Sequence, residues 1–352
     1  MTLAHCILRL WPLLLFPLLS ACNPFSSARP MMDEYVERVA RVLETEPRYS
    51  PVPQADQIPR RRDRVLEMPD LELGMLDFLS LYGCELQHVV GEKNSVMGRV
   101  MQPLNRLRYE LRFIHAARAC IGAIDDEDLK ATLKKAIESK RKSLPIAVWN
   151  GTWGVEEVET LFTLAKGSYP VAADGDPVSD LAREISRLDV AVKKLVTGDL
   201  DVSLDFAGEV QQRWQAEYRA GQLINSANLL VTRLRDATRI IRARLDDRPL
   251  CLNGKPNNQS DIVKSMFFSV YVEKVQPYLA DVRRARDELM VPLGRLATLQ
   301  QATMPGSFRE WYERYLAMTG EGSLWRALDE AMSMHTKAWQ DLLGQCGLRP
   351  GA

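Results

Sequence analysis

Net charge is the first thing this sequence lacks: among 352 residues, Lys+Arg and Asp+Glu number 46 each. With no excess of either sign, no bulk field draws the chain toward nucleic acid or an anionic surface. Histidine is scarce, with four residues at positions 5, 88, 115 and 335, and no two cysteines stand in a CxxC pair. Neither pattern suits zinc, so no metal or other cofactor is expected. A Gly-x-Ser-x-Gly elbow is missing, which argues against the serine-hydrolase route. Glycine-rich phosphate loops are missing too, since Gly83, Gly91 and Gly98 are scattered along a helical pattern. Strand-length alternation and hairpin turns are also lacking, whereas apolar residues recur at spacings of three and four throughout. The fold class expected is all-α.

One continuous apolar run is present near the start. Residues 10–19 carry it, interrupted by Pro12 and Pro17. A membrane-spanning helix needs ~20 apolar residues, so this run suits a cleaved signal better than a span. It closes on Leu19-Ser20-Ala21-Cys22, which resembles a bacterial lipobox. That resemblance implies removal of residues 1–21 and diacylation of Cys22, which becomes the mature N-terminus. Two acyl chains, palmitate among them, anchor stably where one binds only marginally. Asn23 follows in place of an inner-membrane Asp. The expected address is therefore the periplasmic face of the outer membrane, with the membrane itself as the partner of Cys22.

Export changes the meaning of the other cysteines. Cys84, Cys120, Cys251 and Cys346 allow three pairings in an oxidising compartment. Residues facing across an antiparallel helical hairpin lie equally far from its turn. Cys84 and Cys120 have their midpoint at position 102, just before Pro103. For Cys251 and Cys346 the midpoint falls at 298–299, shortly before Pro305-Gly306. The crossed alternatives place it at 233 or 215, inside a long helix. The pairing predicted is Cys84–Cys120 and Cys251–Cys346, one staple per lobe.

The body divides as follows. Residues 22–68 form the lipidated N-terminus: a tether, a short helix over 33–44 and a linker with Pro47, Pro51, Pro53 and Pro59. An N-terminal helical lobe over 69–170 contains a helix opening at Pro103 and another with an acidic start at 125–128. Trp149-Asn150-Gly151-Thr152-Trp153-Gly154 reads as a turn whose tryptophans plug the core. A C-terminal lobe over 171–352 begins with a helix capped by Asp176. Its longest helix, over 209–246, shows a coiled-coil-like seam at Ile224, Ala227, Val231, Leu234, Thr238, Ile241 and Leu245. Arg233, Arg235, Arg239, Arg242 and Arg244 read as its solvated outer face. Helix resumes over 260–301 with bends at Pro277 and Pro292, and two more helices return the chain. The architecture expected is an antiparallel helical bundle in two lobes with long helices, stapled by disulfides.

Two stretches carry a family resemblance. One is Gly83-Cys84-Glu85-Leu86-Gln87 with the segment from Glu92-Lys93-Asn94-Ser95 to Met101. The other is Cys251-Leu252-Asn253-Gly254-Lys255-Pro256-Asn257 with Tyr271 and Val275-Gln276-Pro277-Tyr278. Together they resemble a family of gammaproteobacterial lipoproteins known only as a domain of unknown function. The resemblance supports the lipoprotein reading and implies no activity.

Chemistry-bearing residues concentrate in one segment. Glu85-x-x-His88 has the spacing used by di-iron bundles, but the second half of such a site is missing. Glu92-Lys93-Asn94-Ser95 with Gly98 and Met101-Gln102 is similar, in compressed form, to lytic transglycosylase signatures. Glu92 or Glu85 would then serve as general acid of a cell-wall glycan hydrolase or lyase. The candidate polar surface is Glu85, His88, Glu92, Asn94, Ser95 and Arg99. The leading expectation is nonetheless a non-catalytic binding or structural envelope protein with a protein or glycan partner. A carrier enclosing an apolar ligand is the other alternative.

Overall fold

The structure is a computed structural model that describes residues 27–69, 81–95, 98, 100–172 and 178–348. Cys22, Asp176 and Arg99 lie outside the described residues. Among the described residues the regular structure is helical throughout, and no strand occurs.

Helix α1 (Ala28–Val42) opens a turn earlier than its sequence pattern predicts. Met31, Met32 and Tyr35 extend the buried face of Val36, Val39 and Ala40 backwards, and Pro30 is harmless in a first turn. A single turn, α2 (Arg61–Arg64), follows. Helix α3 (Glu85–Asn94) pairs with α4 (Pro103–Ile121), and α4 forms a hairpin with α5 (Glu127–Thr152). Asp126 caps α5 by accepting from Asp128 N at 2.9 Å and Leu129 N at 3.1 Å. The 149–152 segment is the last turn of α5 rather than a turn between helices. Pro145 removes one backbone donor, yet burial of Val148, Trp149 and Trp153 outweighs that loss.

After a short helix, α6 (Glu157–Leu161), come α7 (Ser179–Val196), α8 (Ala207–Ala216) and α9 (Arg219–Asp247). The helix expected over 209–246 is therefore two, broken where Glu217 is extended. Helix α8 packs on α6 and α7, whereas α9 packs on α1 and the last helix, so one straight axis cannot serve both. Gly221 marks the crossing, because a Cβ there would collide with the Thr163 carbonyl.

The chain then runs helically from Asn258 to Thr298 through α10 (Asn258–Met266), α11 (Gln276–Ala285) and α12 (Val291–Thr298). Wider π-helical stretches, Phe267–Val275 and Arg286–Met290, connect them. Each stretch ends just before Pro277 or Pro292. A proline removes one i→i−4 bond and crowds the carbonyl four residues back, and the widened turns absorb both effects without breaking the helix. Helices α13 (Gly306–Tyr315) and α14 (Leu324–Gly344) complete the fold.

The run 258–298 and α14 are antiparallel about the 305–306 turn. Phe267 meets Trp339 with ring centroids 5.0 Å apart, Tyr271 meets His335 at 5.2 Å, and Arg286 Nη1 reaches Asp329 Oδ1 at 2.9 Å. The same geometry brings Cys251 to Cys346, bonded with Cα atoms 5.2 Å apart. Cys84 and Cys120 are bonded likewise at 5.6 Å. Both pairings are those that the hairpin midpoints predict.

Buried apolar side chains form two clusters. The smaller joins α3, α4 and α5 through Leu86, Phe113 and Leu133, beside the Cys84–Cys120 bond. Glu110 is buried there between Arg106 Nε at 2.5 Å and Lys140 Nζ at 2.7 Å. The larger cluster takes residues from both sides of position 170. Phe308 packs edge-on against Trp149 at 5.1 Å, and Trp311 against Phe162 at 4.9 Å.

The seam of α9 is buried as its spacing predicts, from Ile224 through Leu234 to Ile241. Leu234→Asp places an unpaired carboxylate in the core and should cost several kcal/mol, about 3 or more. Arg235→Ala, at an exposed position, should change stability by no more than ~0.5 kcal/mol. Equal melting temperatures for the two variants would contradict this orientation of α9. Loop closure over 36 and 95 residues gives the two disulfides ~4 and ~5 kcal/mol. Replacing both cysteines of one pair by serine should raise hydrogen exchange chiefly in the helices that pair joins.

Candidate functional site

The polar surface chosen from sequence lies on α3 and is open to solvent. Arg112 of α4 grips Glu92 with both nitrogens, at 2.8 and 3.2 Å, and comes within 3.9 Å of Glu85. Both carboxylates stay largely exposed beside this guanidinium. A general acid needs the opposite surroundings, burial away from cations. Ser95 closes the end of α3, its hydroxyl donating to the Glu92 carbonyl at 2.7 Å and accepting from Gly98 N at 3.0 Å. His88 and Asn94 are exposed. No group of three His, Cys, Asp or Glu side chains suited to a metal occurs among the described residues. The structure thus brings Glu85 and Glu92 together only through Arg112.

A better-formed site lies between α9, α14 and the segment that precedes α2. Residues 45–60 form neither helix nor strand, in keeping with their prolines, but they are not a free linker. An extended chain has no internal backbone bonds, so its groups must find other partners. Ser50 N donates to Asp236 at 3.1 Å, and Ser50 O accepts from Arg233 Nη1 at 2.7 Å. Further along, Asp56 N donates to the Tyr315 hydroxyl at 2.8 Å and Trp311 Nε1 to Asp56 O at 3.1 Å. Past α2, the Asn150 amide bonds both the N–H and the carbonyl of Leu66, at 2.8 and 2.7 Å.

The pinned segment forms one wall of a groove of about 460 Å³. Ser50, Pro51 and Pro53 face Asn228, Val231, Thr232, Arg235, Thr238 and Arg239 of α9, with Met334 of α14 at the edge. Two of the five arginines read from sequence as a solvated face, Arg233 and Arg244, are buried. Arg233 is held by Asp33 at 2.6 Å and Asp236 at 3.0 Å, under the ring of Tyr49. Arg239 bonds Asp236 and the Ser50 hydroxyl, and Arg242 pairs with Asp341 at 2.8 Å. Arg235 is exposed at the groove and makes no hydrogen bond or ion pair with the described residues.

Behind the groove wall is a buried polar network. Thr238 donates to the Leu234 carbonyl at 2.6 Å, which leaves its oxygen to accept from His335 Nδ1–H at 3.0 Å. His335 Nε2 must then be the lone pair, accepting from the Tyr35 hydroxyl at 2.6 Å and from Trp339 Nε1 at 3.1 Å. Trp339 Nε1 also donates to the Tyr35 oxygen at 2.8 Å. Complete burial pushes the imidazole down to about 3, keeping it neutral.

A family model described as a protein of unknown function (DUF3080) matches residues 32–350. The chain belongs to this family. No curated protein and no solved structure matches it. Membership in the DUF3080 family spans the helices that build the groove, from α1 to α14, and brings no activity with it.

Sequence reasoning missed this site because its walls look bland one at a time. Prolines 51 and 53 suggest a linker, and arginines every few residues suggest a solvated face. Thr238 was the available signal: a hydroxyl in an otherwise apolar seam needs a buried partner.

The network has a consequence for acid stability. His335 is neutral in both states above its unfolded value of 6.5, and below that only the unfolded chain takes the proton. Stability is therefore lost as pH falls from 6.5 toward about 3. By pH 5 the loss from this residue should reach about 2 kcal/mol. Denaturant unfolding at pH 7.5 and 5.0 checks this: wild type should lose about that much more than His335→Gln. Equal losses would contradict the assignment.

Proposed function

We propose that the chain is a lipoprotein anchored through Cys22 to the periplasmic face of the outer membrane, and that its body binds a partner without transforming it. The groove between the 50–53 segment and α9 carries this reading. Its polar groups are arranged to hold rather than to react. The carboxylate behind it, Asp236, is buried and accepts from Ser50 N, Arg233 and Arg239, so its oxygens are already taken up. The Thr232 and Thr238 hydroxyls are committed to carbonyls one turn back. What remains available is apolar surface, the Asn228 amide and the guanidinium of Arg235, the means of recognition.

Export is supported independently. Leu19-Ser20-Ala21-Cys22 has the form of a lipobox, and two disulfides suit an oxidising compartment. No helix among the described residues is long and apolar enough to cross a membrane, so an acyl anchor would supply the attachment.

Cys22→Ser should abolish incorporation of labelled palmitate and leave the protein unprocessed or in the soluble fraction. Fractionation of that variant with membranes, together with maturation of the wild type in the presence of globomycin, would overturn the anchoring.

A further inference from the structure

We infer that the groove receives the headgroup of an anionic phospholipid from the leaflet that carries the anchor, with Arg235 meeting the phosphate. This deepens the proposed function and rests on anchoring through Cys22.

Position is the first argument. Helix α1 begins at Ala28, six residues after Cys22. A chain of that length spans at most ~20 Å. Asp33 follows five residues into α1, a rise of ~8 Å. It pairs with Arg233 at 2.6 Å, and Arg233 in turn bonds the carbonyl of Ser50 in the groove wall. Tyr49 adds a second tie, its hydroxyl donating to Asp33 O at 3.4 Å. The groove therefore sits on the part of the body that a short tether keeps close to the headgroup layer.

Chemistry is the second. Arg235 presents a guanidinium with no partner among the described residues, beside Arg239, whose side chain is 63% exposed. Next to them Pro51, Pro53, Val231 and Met334 supply apolar surface, with Met334 56% exposed. An unpaired guanidinium above apolar walls complements a phosphate joined to an alkyl stem. The whole-chain charge is zero, so this attraction is local rather than a general pull toward anionic surfaces.

The walls disfavour the other occupants. A peptide added as a β-strand needs backbone donors and acceptors along its path. Pro51 and Pro53 have no N–H, and the backbone of α9 bonds within its own helix. A glycan needs many hydrogen-bond partners, where this largely apolar groove leaves few, Asn228, Arg235 and the exposed part of Arg239.

Native mass spectrometry of the mature protein, purified from its envelope in mild detergent, tests the proposal by titration with dioleoylphosphatidylglycerol and dioleoylphosphatidylcholine. One phosphatidylglycerol adduct should form, favoured about tenfold over phosphatidylcholine. Arg235→Glu should weaken it about tenfold or more. Arg242→Glu, on the same helix but outside the groove, should leave it unchanged. Equal binding of the two lipids, an adduct unaffected by Arg235→Glu, or a copurified peptide or glycan that phosphatidylglycerol does not displace would each overturn it. Melting curves should show both variants folded. Denatured intact mass reports Cys22 acylation separately. Acylated protein without the lipid adduct overturns the groove assignment alone, and an adduct on unacylated protein overturns the anchoring alone.

Discussion

Asp236 is the group on which the arrangement around α9 depends. It lies on a helix buried on most sides and is itself 1% exposed, where an uncompensated carboxylate costs several kcal/mol. Three donors from two directions answer it: Arg233 and Arg239 along its own helix, and Ser50 N from the segment before α2. Arg233 then reaches on to Asp33 in α1 and to the Ser50 carbonyl. The single buried charge thereby ties α1, the proline-rich segment and α9 into one unit. The groove exists because that segment is held down; without the tie, Pro51 and Pro53 would have nothing opposite them.

The same logic recurs wherever polar groups are buried. His335 joins α1, α9 and α14 through Tyr35, Thr238 and Trp339, with every ring nitrogen engaged. Glu110 joins α4 to α5 through Arg106 and Lys140. The Tyr278 hydroxyl lies 3.1 Å from the Tyr169 carbonyl and 2.8 Å from the Ser226 hydroxyl, fastening the 167–169 segment to the bundle. Apolar burial supplies most of the driving force but has little directionality. These satisfied polar contacts are what select one register among many that would bury similar area.

The disulfides and the prolines work on the chain rather than on the core. Each disulfide closes a hairpin near its open end, so each restrains the unfolded chain over a long loop. Prolines are placed where helix geometry tolerates them: at the first position of α4, in the first turn of α1, and after the widened turns that precede Pro277 and Pro292. Pro145 is the exception, kept inside α5 by the burial of the tryptophan turn that follows it.

Much of the fold was legible because helices are local. Periods of three and four marked α1, α4, α7, the seam of α9 and α14, and hairpin symmetry was enough to pair four cysteines. The break at Glu217 was not legible, since it arises from α8 and α9 packing on different neighbours, and periodicity carries no information about direction. The candidate site was hidden for a related reason. Glu85 and Glu92 stood out by residue type, yet Arg112 from another helix pairs with Glu92 and approaches Glu85. Ser50, Arg235 and Met334 are unremarkable alone and are separated by up to 284 positions, so only tertiary packing could bring them to one groove. The sequence by itself determined the helices, the cysteine pairs and the lipobox-like end of the signal run, all set by neighbours within a few turns or by symmetry about one turn. Which arginines are buried, which segment is pinned and where a ligand can lie were decided by contacts between distant elements, which no local pattern encodes.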